Sequence, residues 1–486
     1  MCALKLRTKL EVIMKLVYDV QDKPKFGNVI VFAFQQLLAI MAATIAVPAI
    51  VGNGMTASAA LFGAGVGTIV YLLFTQFKSP VFLGSSFAFL GSMFAAFAGG
   101  VASALGYLGL ILGAIFAGLV YVVIAIIVKF AGVAWINKLM PAVVIGPTVA
   151  IIGLSLAGNA VGDALKSDVA GGSTYVAFIC ALVTLAVVVL CSTYGKKMAK
   201  LIPFVIGIAA GYAVALIFTL IGRETGNVAL RIIDFAPIKA LWADGVTVKT
   251  FVNIPEFTFV KALDGIKELK GNLSYIATIA VAYVPVAFVV FAEHIADHKN
   301  LSSIIEKDLL TNPGLHRTLL GDGVGSMAGA IFGGCPNTTY GESVGCVAIT
   351  GNASTVTILT AAILAIAFAF ISPFVALLDS IPACVMGGVC ITLYGFIAVS
   401  GLKMIQNVDL GDNANLFTVS VILIAGIGGL SLTFGKVTLT EVACALILGI
   451  LVNLMLSKGR KSETISAETV EEAVEAVEEA SDNTEA

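Results

Sequence analysis

Apolar residues run through the chain in long, nearly unbroken stretches, and polar residues gather between them. A bilayer core of about 30 Å takes roughly 20 apolar residues of helix. Segments of about that length are predicted at 28–50, 56–75, 81–98, 103–128, 137–157, 173–192, 201–221, 273–298, 314–334, 338–350, 355–379, 382–402, 414–434 and 438–457. A β-barrel would show shorter segments that alternate apolar and polar. The expected fold is an all-α polytopic membrane protein of about 14 transmembrane segments. The third and tenth segments are short, interrupted by glycine and polar where they begin.

Composition agrees with this pattern. The chain has 486 residues, 59% hydrophobic and 12% charged, with a mean hydropathy of +1.02. A soluble chain would carry about 25% charged residues. The 50 glycines suit close helix packing in lipid. Eight dispersed cysteines form no CxxC pattern, which argues against a disulfide framework and a zinc site. Residues 1–27 have scattered charges and lack the apolar core and cleavage site of a signal peptide, so they read as a cytoplasmic segment. The formal charge of −2 conceals an asymmetry. Residues 462–486 carry nine acids and no Lys or Arg, which leaves residues 1–461 at +7. Residues 458–486 therefore read as an acidic, solvated cytoplasmic tail.

Orientation follows from Lys and Arg near the span ends. With the N-terminus inside, the inner loops hold Lys78, Lys129, Lys138, Lys196, Lys197, Lys200, Lys299, Lys307, Arg317 and Lys403. The short outer loops hold only Lys166 and Lys436. Lys458, Arg460 and Lys461 then place the C-terminus inside as well, and the loop 222–272 outside. Internal similarity supports a repeat. PAVVIG (Pro141–Gly146) matches PACVMG (Pro382–Gly387), and SSFAF (Ser85–Phe89) matches TTYGE (Thr338–Glu342) as hydroxyl, hydroxyl, aromatic, small. Both pairs imply a unit of seven spans, over 28–221 and 273–457. An odd number of spans reverses direction, so the repeats are inverted, an arrangement found in secondary transporters with mid-membrane sites between broken helices.

Two clusters carry candidate chemistry. FAEHIADH (Phe291–His298) follows the apolar run Leu273–Ala292. In a helix, Glu293 and Asp297 share one face, while His294 and His298 share another about 100° away. Ionisable groups inside a membrane are costly and mark a substrate or proton path. HIADH also approaches the zinc-binding H-x-x-E-H spacing. Only His316, expected in a loop, remains as a third histidine, so no metal site is expected.

The second cluster is GGCPNTTYGESVGCVAIT (Gly333–Thr350). Pro336 and Asn337 should break the chain, with Thr338 or Thr339 capping the next helix and Glu342 in its first turn. Ser85 and Ser86 could cap the third segment in the same way. Two helix N-termini meeting at mid-membrane would offer amide donors to ligand carbonyls. Glu293 and Glu342 would accept from ligand N–H groups. A small planar ligand with alternating C=O and N–H fits, with Phe87 or Tyr340 stacking on it. GDGVGS (Gly321–Ser326) lacks the GK[ST] of a nucleotide-binding loop. Its glycines suggest close packing, with Asp322 bonded to backbone. No basic, aromatic-interleaved patch suggests nucleic-acid binding.

These motifs resemble those of the nucleobase–ascorbate transporter (nucleobase:cation symporter-2) family, and within it the bacterial uracil permeases. The resemblance runs from YDVQDKPK (Tyr18–Lys25) to about residue 457. AEHIADH is similar to the family's eighth-helix motif, and LGSSFAF (Leu83–Phe89) to its third-segment binding strand. HRTLLGDGVGSMAGAIFGGCPNTTYGESVG (His316–Gly345) is a long match. ESVGCVAITG (Glu342–Gly351) is similar to the signature [QEP]-N-x-G-x4-T-[RKG].

The resemblance implies two inverted seven-helix repeats divided into core and gate domains, with proton-coupled import of uracil by alternating access. It also implies a transporter rather than an enzyme, and a homodimer. Glu293 and Glu342 would hold the base, backbone at Phe87 and Gly341 would meet its carbonyls, and Tyr340 would lie nearby. Three positions depart from the family. Ser343 stands where Asn is usual, Gln36 where many members have His, and Asp297 where some uracil permeases have a proton-linked histidine. Proton coupling is thus expected from Glu293 and Glu342 with Asp297 or His298 as relay, and no cofactor. Sodium stays open as the coupling ion. Alternatives are a purine or xanthine permease of the same family, or an anion transporter of the related sulfate-permease type. Two site acids and a tail of about 29 residues argue against the anion transporter.

Overall fold

The computed structural model describes residues 16–132, 141–196, 198–272, 274–406, 408–434 and 437–457. Expectations for residues 1–15, for the start of the fifth segment with Lys138, for Lys197 and Lys436, and for the tail from 458 with Lys458, Arg460 and Lys461 lie outside them.

The first half contains α1 (Phe26–Val51), α2 (Ala57–Phe74), β1 (Leu83–Ser85), α3 (Leu90–Phe97), α4 (Ser103–Ala131), α5 (Ala142–Ser155), α6 (Ala157–Ala164), α7 (Thr174–Tyr194) and α8 (Pro203–Glu224). The second half contains α9 (Ser274–Ile305), α10 (Leu315–Gly333), β2 (Asn337–Thr339), α11 (Gly341–Thr350), α12 (Thr355–Ala369), α13 (Ser372–Asp379), α14 (Ala383–Met404), α15 (Asn413–Ile427), β3 (Leu432–Phe434), β4 (Val437–Leu439) and α16 (Glu441–Ser457). Among the described residues, eight helices are long and apolar enough to cross a membrane. Each predicted segment has a helix, or a strand with a short helix, at its position.

Helix neighbours repeat with a two-fold pattern. α10 packs on both α2 and α4, and α2 packs in turn on α12. α9 packs on α4 as α1 does on α12, α14 on α7 as α15 does on α5, and α8 on α7 as α16 does on α15. Exchanging α1 with α9, α2 with α10, α4 with α12, α5 with α14, α7 with α15 and α8 with α16 maps each contact onto its mate. This is the inverted repeat, and it sorts the helices into two bodies. The core gathers α1–α4 with α9–α12, and the gate gathers α5–α8 with α14–α16.

Between β1 and α3 the chain makes one tight helical turn, Phe87–Phe89. β1 and β2 pair antiparallel where the two halves meet, with Leu83 opposite Thr339, Gly84 opposite Thr338 and Ser85 opposite Asn337. Segments 222–272 form short helical turns. Lys261 reaches from there to the Gly54 carbonyl at 2.6 Å. The stretch Tyr18–Asp22 lies against the α11–α12 junction: Ala353 N–H donates to the Tyr18 carbonyl at 2.9 Å and Thr355 N–H to that of Val20 at 3.1 Å. Lys307 pairs with Asp19 at 2.7 Å and holds its carboxyl below the usual range.

Several expectations need correction. α9 does not end near residue 298 but continues to Ile305. Apolarity marks the lipid-spanning stretch, whereas helix formation continues through its polar extension. The capping hydroxyls are not caps. Neither the Phe87–Phe89 turn nor α11 has a side-chain cap, because Ser85, Thr338 and Thr339 belong to the paired strands and α11 starts only after Tyr340. His316 sits in the first turn of α10 rather than in a loop.

The glycine reading of α10 is visible in its packing. A Cβ at Gly63 of α2 would collide with the Gly329 carbonyl, and one at Gly333 would meet Ala59 and Ala60. Overpacking typically costs about 1–3 kcal/mol. Gly63→Ala should therefore lower the thermal midpoint of the purified protein in detergent. Gly395→Ala, on an exposed face of α14 with open space at its Cβ, should leave it unchanged or raise it slightly. Equal midpoints for the two variants would contradict this packing.

Candidate functional site

A cavity of about 340 Å³ lies between the two bodies. Its core wall is polar: Ser86, Phe87 and Ala88 after β1, Glu293, Ala296 and Asp297 on α9, and Thr338–Glu342 at the β2–α11 junction. Its gate wall is apolar apart from Ser400: Val149 and Ile152 on α5, Phe204 on α8, and Leu393, Phe396, Ile397 and Met404 on α14. Phe87 meets Tyr394 of α14 edge to face, with ring centroids 5.7 Å apart.

The paired strands hold the core wall in place. Ser86 N–H donates to the Pro336 carbonyl at 2.9 Å. Leu83 N–H donates to Thr68 Oγ1 at 2.9 Å, and Asn337 Nδ2 donates to the Gly63 carbonyl at 2.9 Å. Tyr340 donates its hydroxyl to the Ser85 carbonyl, so its ring spans from one strand to the other. Gly84 leaves room for that ring, since a Cβ there would enter it. Behind the strands, Ser343 Oγ accepts from Gln36 Nε2 at 2.6 Å and from Phe82 N–H at 2.9 Å. Two of the positions that depart from the family are therefore bonding partners, 307 residues apart in sequence.

The structure brings together Glu293, Asp297, Glu342, Phe87, Tyr340 and Gly341 at one cavity. Asp297 Oδ2 accepts from Thr339 Oγ1 at 2.9 Å. Glu342 lies in the first turn of α11, where the free amides and positive end of the helix favour a carboxylate. His298 is not at the cavity. It is fully buried, with Nε2 sharing a hydrogen bond with the Tyr71 hydroxyl at 2.7 Å and Nδ1 meeting the His294 carbonyl at 2.8 Å. His294, also fully buried, meets Asp322 Oδ2 at 2.7 Å and Thr318 Oγ1 at 3.0 Å. Asp322 thus pairs with a side chain rather than with backbone, because α10 presents it directly to α9.

Both ring nitrogens of each α9 histidine are engaged in this way. Among the described residues, no group of three or more His, Cys, Asp or Glu could hold a metal ion. The bond of Thr339 to Asp297 and the apolar gate residues are not legible from sequence. The hydroxyl carries the same local signal as a helix cap, and the gate side chains look like any other lipid-facing or packing residues.

A broken-helix polar wall opposite an apolar wall, between two bodies that each draw helices from both inverted repeats, is a membrane-transporter architecture. The sequence profile of a permease family matches residues 27–434, and the chain belongs to that family, the nucleobase–ascorbate transporters that its motifs resemble. Similar relatives include a uracil permease of Bacillus caldolyticus, 41% identical over 91% of this chain and 95% of that protein. A uracil permease of Bacillus subtilis (strain 168) is 36% identical over 93% and 98%, and one of Escherichia coli (strain K12) is 35% identical over 90% and 93%. Among solved structures, the transmembrane domain of a cyanobacterium bicarbonate transporter, BicA, matches with a TM-score of 0.59 at 16% identity, covering 90% of this chain and 99% of that one. SLC26A9 matches with a TM-score of 0.59 at 12% identity over 88% and 64%. At such identities the likeness concerns the fold. The protein is a multi-pass membrane permease, not an enzyme.

The Gly84–Tyr340 contact can be tested by stability. Tyr340→Phe removes one hydrogen bond and should cost about 0.5–1.5 kcal/mol. Gly84→Ala forces a methyl into the ring and should cost about 1–3 kcal/mol. Thermal unfolding in detergent should rank wild type first, Tyr340→Phe second and Gly84→Ala last. A fully stable Gly84→Ala would show that the ring does not pack there.

Proposed function

We propose that the protein imports uracil across the plasma membrane by proton symport. The observation that carries this reading is the core wall, where Glu293 and Glu342 share a cavity with the backbone that opens α3 and α11. Uracil is a small planar ring with two N–H donors and two carbonyl acceptors. The carboxylates take its N–H groups, and backbone N–H groups around Phe87 and Gly341 take its carbonyls. Phe87 covers the ring, and Tyr340, held by Ser85, shapes the floor. The relatives named as uracil permeases support the choice of ligand.

Proton uptake by Glu293 neutralises one carboxylate and turns an acceptor into a donor, which changes how the site holds the base. Asp297, one turn along α9 and on the same cavity, is the relay we favour. His298 faces Tyr71 instead. Three carboxyls on the ligand wall disfavour an anionic substrate. Access alternates as the core moves against the gate. Both termini are cytoplasmic, residues 28–221 and 273–457 are seven-span repeats, and the loop 222–272 is outside. The protein works without a cofactor, as a homodimer.

Proteoliposomes with an inward proton gradient should accumulate [3H]uracil, and a protonophore should abolish this accumulation. Uptake undiminished by the protonophore would sink proton coupling, and dependence on a sodium gradient would reassign the ion. Glu293→Gln should lose uphill transport altogether. Asp297→Asn should lose accumulation yet retain exchange of external for internal uracil. Unlabelled uracil and 5-fluorouracil should compete, while xanthine should not; competition by xanthine would favour a purine permease.

A further inference from the structure

A second cavity, of about 350 Å³, lies away from the transport site, where α2, α4 and α10 end together. It is lined by Lys129 in the last turn of α4, by His316 and Arg317 in the first turn of α10, and by an apolar wall that includes Phe74, Ile126 and Phe130. No acid lines it. Arg317 Nη1 approaches the Phe74 carbonyl at 3.4 Å, which uses one of the five guanidinium donors. Its apolar wall continues along α4 as an exposed stripe: Val123 is 54% exposed, Ile126 51% and Phe130 82%.

Basic side chains at helix ends ordinarily reach singly toward the headgroup layer. Here two basic side chains and a histidine line one hollow, and its floor opens onto a lipid-facing apolar stripe. The cations call for a phosphate diester, and the stripe calls for acyl chains attached to it. A basic pocket between transmembrane helices is a known form of lipid headgroup site. We propose that this cavity binds one anionic phospholipid, with the headgroup phosphate against Lys129 and Arg317 and its chains along Val123, Ile126 and Phe130. Free phosphate would satisfy the cations but leave the apolar wall unused.

The full chain, purified in mild detergent, should retain phosphatidylglycerol in preference to phosphatidylcholine by native mass spectrometry. Added phosphatidylglycerol should also raise its thermal midpoint, as a ligand of the folded state does. Each basic residue near the surface contributes about fivefold to such binding, so Lys129→Gln with Arg317→Gln should weaken retention about thirtyfold. Lys403→Gln, at the end of α14 in the gate, should retain the lipid as wild type does. Lys129→Gln alone, at an exposed position, keeps the test open if the double variant fails to fold, and should weaken retention about fivefold. Unchanged retention in Lys129→Gln, equal loss in Lys403→Gln, or a thermal shift reproduced in full by inorganic phosphate would each overturn the proposal.

Discussion

Hydrocarbon offers no hydrogen bonds, so a chain that interrupts its helices inside a membrane must satisfy the freed backbone from within the protein. This chain does so twice, at residues 83–85 and 337–339, and lets each interruption satisfy the other. The rest of the site depends on that pairing. It brings together the turn at Phe87 and the start of α11, fixes where Tyr340 can lie, and aims Thr339 at Asp297. Neither half could support its broken segment alone, which is why a repeat is needed rather than merely present.

Around the strands, several buried polar groups are met by partners from distant sequence. Gln36 and Phe82 N–H both bond Ser343. Across α9, the histidines stack at 4.1 Å and bond inward to Asp322, Thr318 and Tyr71. A single helix therefore presents acids to a cavity and histidines to the interior. Left unpaired, buried polar groups of this kind cost more than their bonds return, so these contacts limit how α9 can rotate and hence where Glu293 and Asp297 point.

Much of this was legible in the sequence. Apolar run lengths gave the helices, the shared PAxVxG and hydroxyl-aromatic motifs gave the inverted repeat, and the i, i+4 spacing of Glu293 and Asp297 gave their common face. The unread parts were long-range. Thr338 and Thr339 carry the same local signal whether they cap a helix or pair a strand, and only the position of Leu83 and Gly84 decides. Gln36 and Ser343 each looked like an isolated departure until folding made them neighbours. α9 outran its apolar stretch because hydropathy reports the solvent, not the backbone.

The cavity's two walls differ in kind, and that difference has a consequence. Hydrogen bonds recognise a ligand by its pattern, whereas apolar contact is non-directional and scales with area. The gate wall, from Val149 to Met404, offers almost nothing directional beyond Ser400. Any ligand seated here is identified by one body and merely covered by the other. Parting the walls costs about the same for every occupant of equal size, so the gate is indifferent to what it encloses, and discrimination is left to the strands and acids of the core.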